Sequence, residues 1–391
     1  MSVESFYLGL GLDGSPVYLV FDHYPSVWVV GPSGSFKSMG VCRTFIENLV
    51  ASGWHVIYVV IKPDFMGLWR GNWRRDDLMD LKVVHRDWFF YECGWRTWGI
   101  PLGRISVLVS PFCGKRLRVL AREVGLPERN VLKWPIPISE IPLEALLEFY
   151  GGKTTEYAAY FKDLREVWED VRERPAPLAT KINLLETSLE RMAGFPKKLA
   201  KKFINRMKYW ISKSMIVDTN ILKEALASKG CLTVFYFNSP QLTSVDYGVF
   251  ATFIYTTIDT CNDLTASGVN DKFCLIVDDV GSWTCSPTAL AALETLVQRR
   301  GRAAGIMRVL VGQSDADLKG AIREGEGMKT FDFRIETSRA IPVLRNYRVK
   351  KGVVMRLVQR ETIYSMEWGY KEREIEFISR PPLTSYGVKI S

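Results

Sequence analysis

Residues 26–38, SVWVVGPSGSFKS, restrict the fold more than any other part of this 391-residue chain. Val27, Trp28, Val29 and Val30 form an apolar run without alternation, the pattern of a strand buried on both faces of a parallel sheet. A glycine-rich turn follows. Beyond it Cys42, Phe45, Ile46 and Leu49 fall at helical spacing, and Gly53 sits where a helix C-cap belongs. His55–Ile61 supplies a second strand, so the expected unit is strand, glycine loop, helix, strand.

A loop of this kind binds phosphate through backbone N–H groups at a helix N-terminus, with a lysine and a hydroxyl behind them. Gly31 and Gly34 allow the turn, Pro32, Ser33, Ser35 and Phe36 complete it, Lys37 would reach the phosphates, and Ser38 would coordinate Mg2+. Phe36 stands where the usual pattern has glycine, so a Cβ and a ring must be accommodated where backbone passes close to phosphate. A second signal lies far downstream. Leu275, Ile276 and Val277 run into Asp278 and Asp279, an apolar strand ending in two carboxylates. Phosphoryl transfer needs one carboxylate to hold the Mg2+ shell and another to orient the attacking water. Asp278 suits the first role and Asp279 the second. Taken alone, Lys37 fits a solvated glycine turn and the two aspartates a solvated acidic turn; together they point to a nucleotide site.

The alternation of strands and helices continues through Cys231–Phe237, a helix over Phe250–Cys261, a strand at Phe273–Val277, a helix starting at Ser286 and Pro287, and strands at Ile306–Val311 and Phe331–Ile335. That order implies an α/β fold with a mostly parallel sheet. From about Pro111 to Gly230 strand signals fade and helical patterns dominate, while Arg345–Arg380 shows the alternation of one or two hairpins. The expected organisation is a core in two parts, 1–110 and 231–391 with a β-rich C-terminal segment, around an inserted, mainly helical subdomain at 111–230. Seven scattered cysteines without a C-x-x-C pair argue against a disulfide scaffold, and three histidines against a Cys/His zinc site. No signal segment and no apolar run long enough for a membrane helix is visible, so an intracellular, soluble chain is expected.

Around the acidic strand the sequence resembles the HerA/FtsK superfamily of DNA-translocating P-loop ATPases. The stretch from Leu293 reads LETLVQRRGRAAGI and continues MRVLVGQ to Gln313. In that family a helix after the acidic strand ends in an R-A-A-G-I-like turn, and a short strand then ends in a glutamine that senses the γ-phosphate. Gln313 matches the glutamine and Arg302 the arginine of the turn. The resemblance covers roughly residues 6–64 and 231–340. Asp279 departs from it, standing where the family usually has glutamate and shortening the reach by one methylene. What the resemblance implies is a RecA-like P-loop NTPase core with an inserted helical subdomain, assembled as a homo-oligomeric, hexameric ring. Arg302 would act across the subunit boundary, with Arg299 and Arg300 as alternatives. The implied activity is ATP-driven translocation of double-stranded DNA, in the compact form typical of viral genome-packaging and mobile-element motors. Such a motor works in the cytoplasm, the host's if virus- or plasmid-encoded, and docks on a partner complex or portal. Two other readings are a nucleotide-binding switch with little turnover and a secretion or pilus ATPase acting on protein.

The net charge of +9 suits a polyanionic partner. Lys197, Lys198, Lys201, Lys202, Arg206, Lys208 and Lys213 crowd one helix whose other face carries Leu199, Phe203, Met207 and Trp210. That face is either solvated or a contact for DNA phosphates. Trp69–Trp98 interleaves aromatics with arginines, the pattern of a small apolar sub-core or of a base-stacking surface. No base-reading motif is present, so DNA contact is expected to be backbone-directed and salt-dependent.

Overall fold

The structure, a computed structural model, describes residues 4–11, 15–21, 23–33, 35, 37–69, 99–151, 156–239, 241–318, 331–337, 354–363 and 369–379. Gly34 and Phe36 of the loop and residues 70–98 of the aromatic segment lie outside them.

Strands are numbered along the chain: β1 Glu4–Gly11, β2 Pro16–Phe21, β3 Ser26–Val30, β4 His55–Val60, β5 Ile105–Val109, β6 Val131–Lys133, β7 Ile136–Pro137, β8 Ile216–Val217, β9 Leu232–Tyr236, β10 Phe273–Val277, β11 Ile306–Gly312, β12 Phe333–Thr337, β13 Val354–Ile363 and β14 Gly369–Ser379. One twelve-stranded sheet runs β2-β1-β14-β13-β12-β3-β11-β10-β4-β9-β5-β6, and β7 pairs with β8 separately. From β12 to β6 every described neighbour is parallel, which makes an eight-stranded parallel centre. The β13–β14 hairpin and then β1 and β2 extend it antiparallel. The apolar runs read from the sequence are therefore the central strands, and each of β3, β4, β9, β10 and β11 is buried along its length.

Strand alternation divides the core into two layers. Trp28, Val30, Ile57 and Val59 face one side and belong to a core that extends through the helices Leu143–Phe149, Phe161–Glu173, Leu178–Arg191, Lys197–Ser212 and Ser244–Ala266. Val27, Val29, Val56, Tyr58 and Val60 face the other, against the helix Arg43–Ala51 and the turn around Phe65 and Leu68. The Ser244–Ala266 helix opens on a capping box between Thr243 and Asp246, which satisfies its first free N–H groups. Gly53 has φ +85 and closes the Arg43–Ala51 helix as the sequence pattern requires.

Between 111 and 230 the chain is mainly helical, yet three short strands lie there as well. β6 joins the main sheet beside β5, and β7 and β8 form the separate pair. Runs of two or three residues are too short for period-2 alternation to register in a sequence. The first turn after the phosphate loop, Lys37–Cys42, and the segment Thr295–Arg300 are both π-helical, a rare geometry concentrated at functional sites.

Candidate active site

Ligands of open α/β sheets bind beyond the carboxyl ends of the parallel strands. Here those ends belong to β3, β4, β10 and β11, and they enclose a cleft of about 210 Å³. Its walls include Ser33, Ser35, Lys37, Ser38, Lys62, Asp64, Asp278, Asp279 and Gln313. The sequence-expected Lys37, Ser38, Asp278, Asp279 and Gln313 thus come together, although β11 separates the loop strand from the acidic strand. Arg302 does not reach the cleft; it is exposed in the turn between the π-helical segment and β11. Arg300 pairs with Asp259.

The loop is anchored to β12. Ser35 shares a 2.6 Å hydroxyl–hydroxyl bond with Thr337, and a Cβ on Gly31 would sit 2.1 Å from the same hydroxyl oxygen, so only glycine fits beside that strand. Lys37 donates to the carbonyl oxygens of Gly31 and Pro32 at 2.6 and 2.8 Å. Burial lowers its pKa, while Asp278, Cys42, Asp279 and Asp317 pull it back up. The ammonium therefore rests on loop oxygens and is poorly compensated by charge, a state that an incoming anion relieves.

Asp278 is 6% exposed. Its Oδ2 accepts from the Tyr58 hydroxyl at 2.8 Å, its Oδ1 accepts from the Asp279 N–H at 2.9 Å, and the Ser38 hydroxyl donates to it as well. Burial still pushes the carboxyl above the usual range, with the Ser38 and Tyr58 bonds opposing. Asp279 takes a left-handed backbone, φ 54 and ψ 51, which aspartate tolerates better than most residues. Its Oδ2 accepts from Ser282 at 3.0 Å. The helical turn after it, Val280–Trp283, is pinned by Trp283, whose ring stacks on Phe250 at 4.1 Å and whose indole N–H donates to the Asp278 carbonyl at 3.1 Å. Packing in the helical layer thus fixes the backbone of both carboxylates.

On the far wall Asp317 accepts from the backbone N–H groups of Gln313 and Ser314 at 2.5 and 3.3 Å, holding the turn that carries Gln313. Three participants escape sequence reading. Tyr58 looks like an ordinary strand residue, and Lys62 and Asp64 like an ordinary turn; only the pairing of β4 beside β10 brings them to the site.

A serine hydroxyl beside a carboxylate is the hard, oxygen-only donor set that suits Mg2+ shared with phosphate oxygens. Among the described residues no cluster of three or more His, Cys, Asp or Glu could hold a metal by itself. Ser38 and Asp278 fit that cation, and Lys37 fits a phosphate.

No protein-family profile matches the sequence, and no curated protein matches it. Among solved structures, VirB4 of Thermoanaerobacter pseudethanolicus superposes with TM-score 0.51 at 11% identity, over 97% of each chain. The fold is that of a RecA-like P-loop ATPase. At this level, that of the fold, the resemblance to the HerA/FtsK superfamily holds. The bacterial conjugative coupling protein TrwB matches over 96% of this chain and 86% of its own, at 14% identity and TM-score 0.41. The cytoplasmic domain of the Type VII secretion ATPase EccC of Thermomonospora curvata matches over 96% of this chain and 28% of its own, at 12% identity and TM-score 0.31. Neither superposition is close enough to carry an argument.

Proposed function

We propose that this RecA-like chain hydrolyses ATP and, as one subunit of a ring, drives double-stranded DNA. The observation that carries the reading is the convergence of Lys37, Ser38, Asp278, Asp279 and Gln313 on one cleft from three separate strand ends. Lys37 and the loop residues hold the β- and γ-phosphates. Ser38 and Asp278 hold Mg2+, which supplies charge neutralisation when bound. Asp279 orders the attacking water, Gln313 senses the γ-phosphate, and exposed Arg302 serves the neighbouring subunit. Residues 111–230 form a helical insertion within the motor core.

The partner is argued from the Lys197–Ser212 helix. Its N-terminal end holds Lys197, Lys198 and Lys201, its first turn carries no acidic residue, and all three lysines are exposed without an ion pair among the described residues. Cations at a helix N-terminus oppose the helix dipole, so a sequence that concentrates them there favours an anionic contact over local stability. Further along, Lys208 is paired with Glu186 and Arg206 stacks over Tyr150 and Trp210.

The test is steady-state ATP hydrolysis with and without double-stranded DNA, at low and moderate salt. A motor is stimulated by DNA, less so as salt rises, and Lys37→Ala abolishes nucleotide binding and turnover. Hydrolysis indifferent to DNA would favour a secretion-type ATPase acting on protein. ATP binding without turnover would favour a switch. A Lys37→Ala protein hydrolysing at the parent rate refutes the site.

A further inference from the structure

We infer that Asp64 is a further catalytic carboxylate of the cleft, taking the proton of the attacking water. The inference rests on the ATPase reading above. Asp64 lies just beyond the end of β4 and lines the same cleft as Lys37, Asp278 and Asp279. β4 and β10 are parallel neighbours with Val59 opposite Val277, so the two chain segments leave the sheet side by side. Asp64 therefore approaches from the wall next to the acidic pair.

Its carboxylate is uncommitted. Among the described residues it accepts no hydrogen bond and makes no salt bridge, although Lys62 and Arg43 lie within electrostatic reach. Asp279 differs, because one of its oxygens is already taken by Ser282. Several groups of the cleft feel the Asp64 charge: it raises the pKa of Asp278, Tyr58 and Cys42, and Asp279 in turn adds to its own. Burial comes first among the causes that raise Asp64 itself, which brings a carboxyl nearer the range of a working base.

The turn that carries it is tied to the helix Arg43–Ala51 that follows the loop. Arg43, 1% exposed and six residues after Lys37, donates to the backbone oxygens of Asp64 at 2.7 Å and Met66 at 2.5 Å. Phe65 and Leu68 are buried in the layer beneath. The helix behind the phosphates thus fixes the position of the carboxylate. This arrangement answers the methylene lost at Asp279: the water is ordered by Asp279 and deprotonated from the adjoining wall. Water oxygen bonds to the γ-phosphorus, the bond from that phosphorus to the β–γ bridging oxygen breaks with its electron pair leaving on ADP, and the water proton passes to Asp64 and then to solvent.

The experiment uses the full chain with Asp64→Asn and Asp64→Glu. General-base removal is expected to lower kcat about 100-fold or more, while affinity for a fluorescent ATP analogue and KM stay within about threefold. The glutamate variant keeps a carboxylate but displaces it, and its kcat is expected to lie between the two. Thermal melting confirms that each variant folds. An Asp64→Asn protein with kcat within about threefold of the parent overturns the inference, as does a loss confined to ATP affinity. If Asp64→Asn does not fold, an Asp64→Glu protein with parental kcat overturns it equally. A parent that neither binds nor hydrolyses ATP instead brings down the ATPase reading itself.

Discussion

Replacing Tyr58 by phenylalanine removes one hydroxyl from a place where its loss can be measured through a carboxylate. The hydroxyl donates to Asp278 Oδ2 at 2.8 Å inside the core, and both partners are nearly inaccessible, Tyr58 at 1% and Asp278 at 6%. Phenylalanine keeps the ring and its packing, so the lost donor dominates. A hydrogen bond to a buried charged group contributes about 1.5–3 kcal/mol, a neutral one about 1 kcal/mol. Which applies depends on pH. Burial raises Asp278 above its unfolded value, so the folded chain binds this proton more readily than the unfolded one. The stability of the neutral acid is fully present below the ordinary aspartate value of 3.8 and is lost as pH rises through the folded pKa. Tyr58 is one of the bonds holding that pKa down, and without it the carboxyl titrates still higher. The variant's deficit against the parent should therefore be larger near neutral pH, up to about 1.5–3 kcal/mol, than near pH 4, where it falls toward about 1 kcal/mol. Urea unfolding of both proteins at the two pH values gives the four numbers needed. Other titrating groups cancel in the difference. A deficit that is equal at both pH values, or larger in acid, refutes the reasoning.

Two further outcomes are expected. Asp279→Gly relieves a left-handed backbone and loses the Ser282 bond, terms of about 1 kcal/mol each with opposite sign, so melting should change little while ATP turnover falls about 100-fold. His55, buried with its Nδ1 2.7 Å from the Ser228 carbonyl oxygen, is held near pKa 4 by burial, against an unfolded value of 6.5. Its neutral form stabilises the fold above the unfolded value, and about 3 kcal/mol is lost as pH falls through that interval; His55→Asn should flatten the acid side of the stability curve.

Much of this fold was legible because its central strands are buried on both faces. Ser26–Val30 and Phe273–Val277 are apolar runs that the structure returns with the same limits. Ser286 and Pro287 also start their helix as read, with Ser286 accepting from the Ala289 N–H. The loop lysine and the paired aspartates, which meet in one cleft, were legible as candidates for a different reason: the chemistry proposed for them needs those residue types at strand ends. Tyr58 and Asp64 were not, because their meaning depends on sheet order. Tyr58 shares a face with Ile276, its partner across the β4–β10 ladder, and hence with Asp278 two residues on. Nothing local in HVIYVV announces that neighbour.

The position of β3 has a consequence for biosynthesis. It is the first strand of the parallel centre to leave the ribosome, yet its two sheet neighbours, β11 and β12, begin only at Ile306 and Phe333. At a synthesis rate of about 5–20 residues per second, the loop strand waits tens of seconds for partners. Throughout that interval Gln313 is absent and Gly31 has no β12 to rest against. A nascent chain therefore has no finished cleft. Competence arrives late and all at once, when the last parallel strands close around the first.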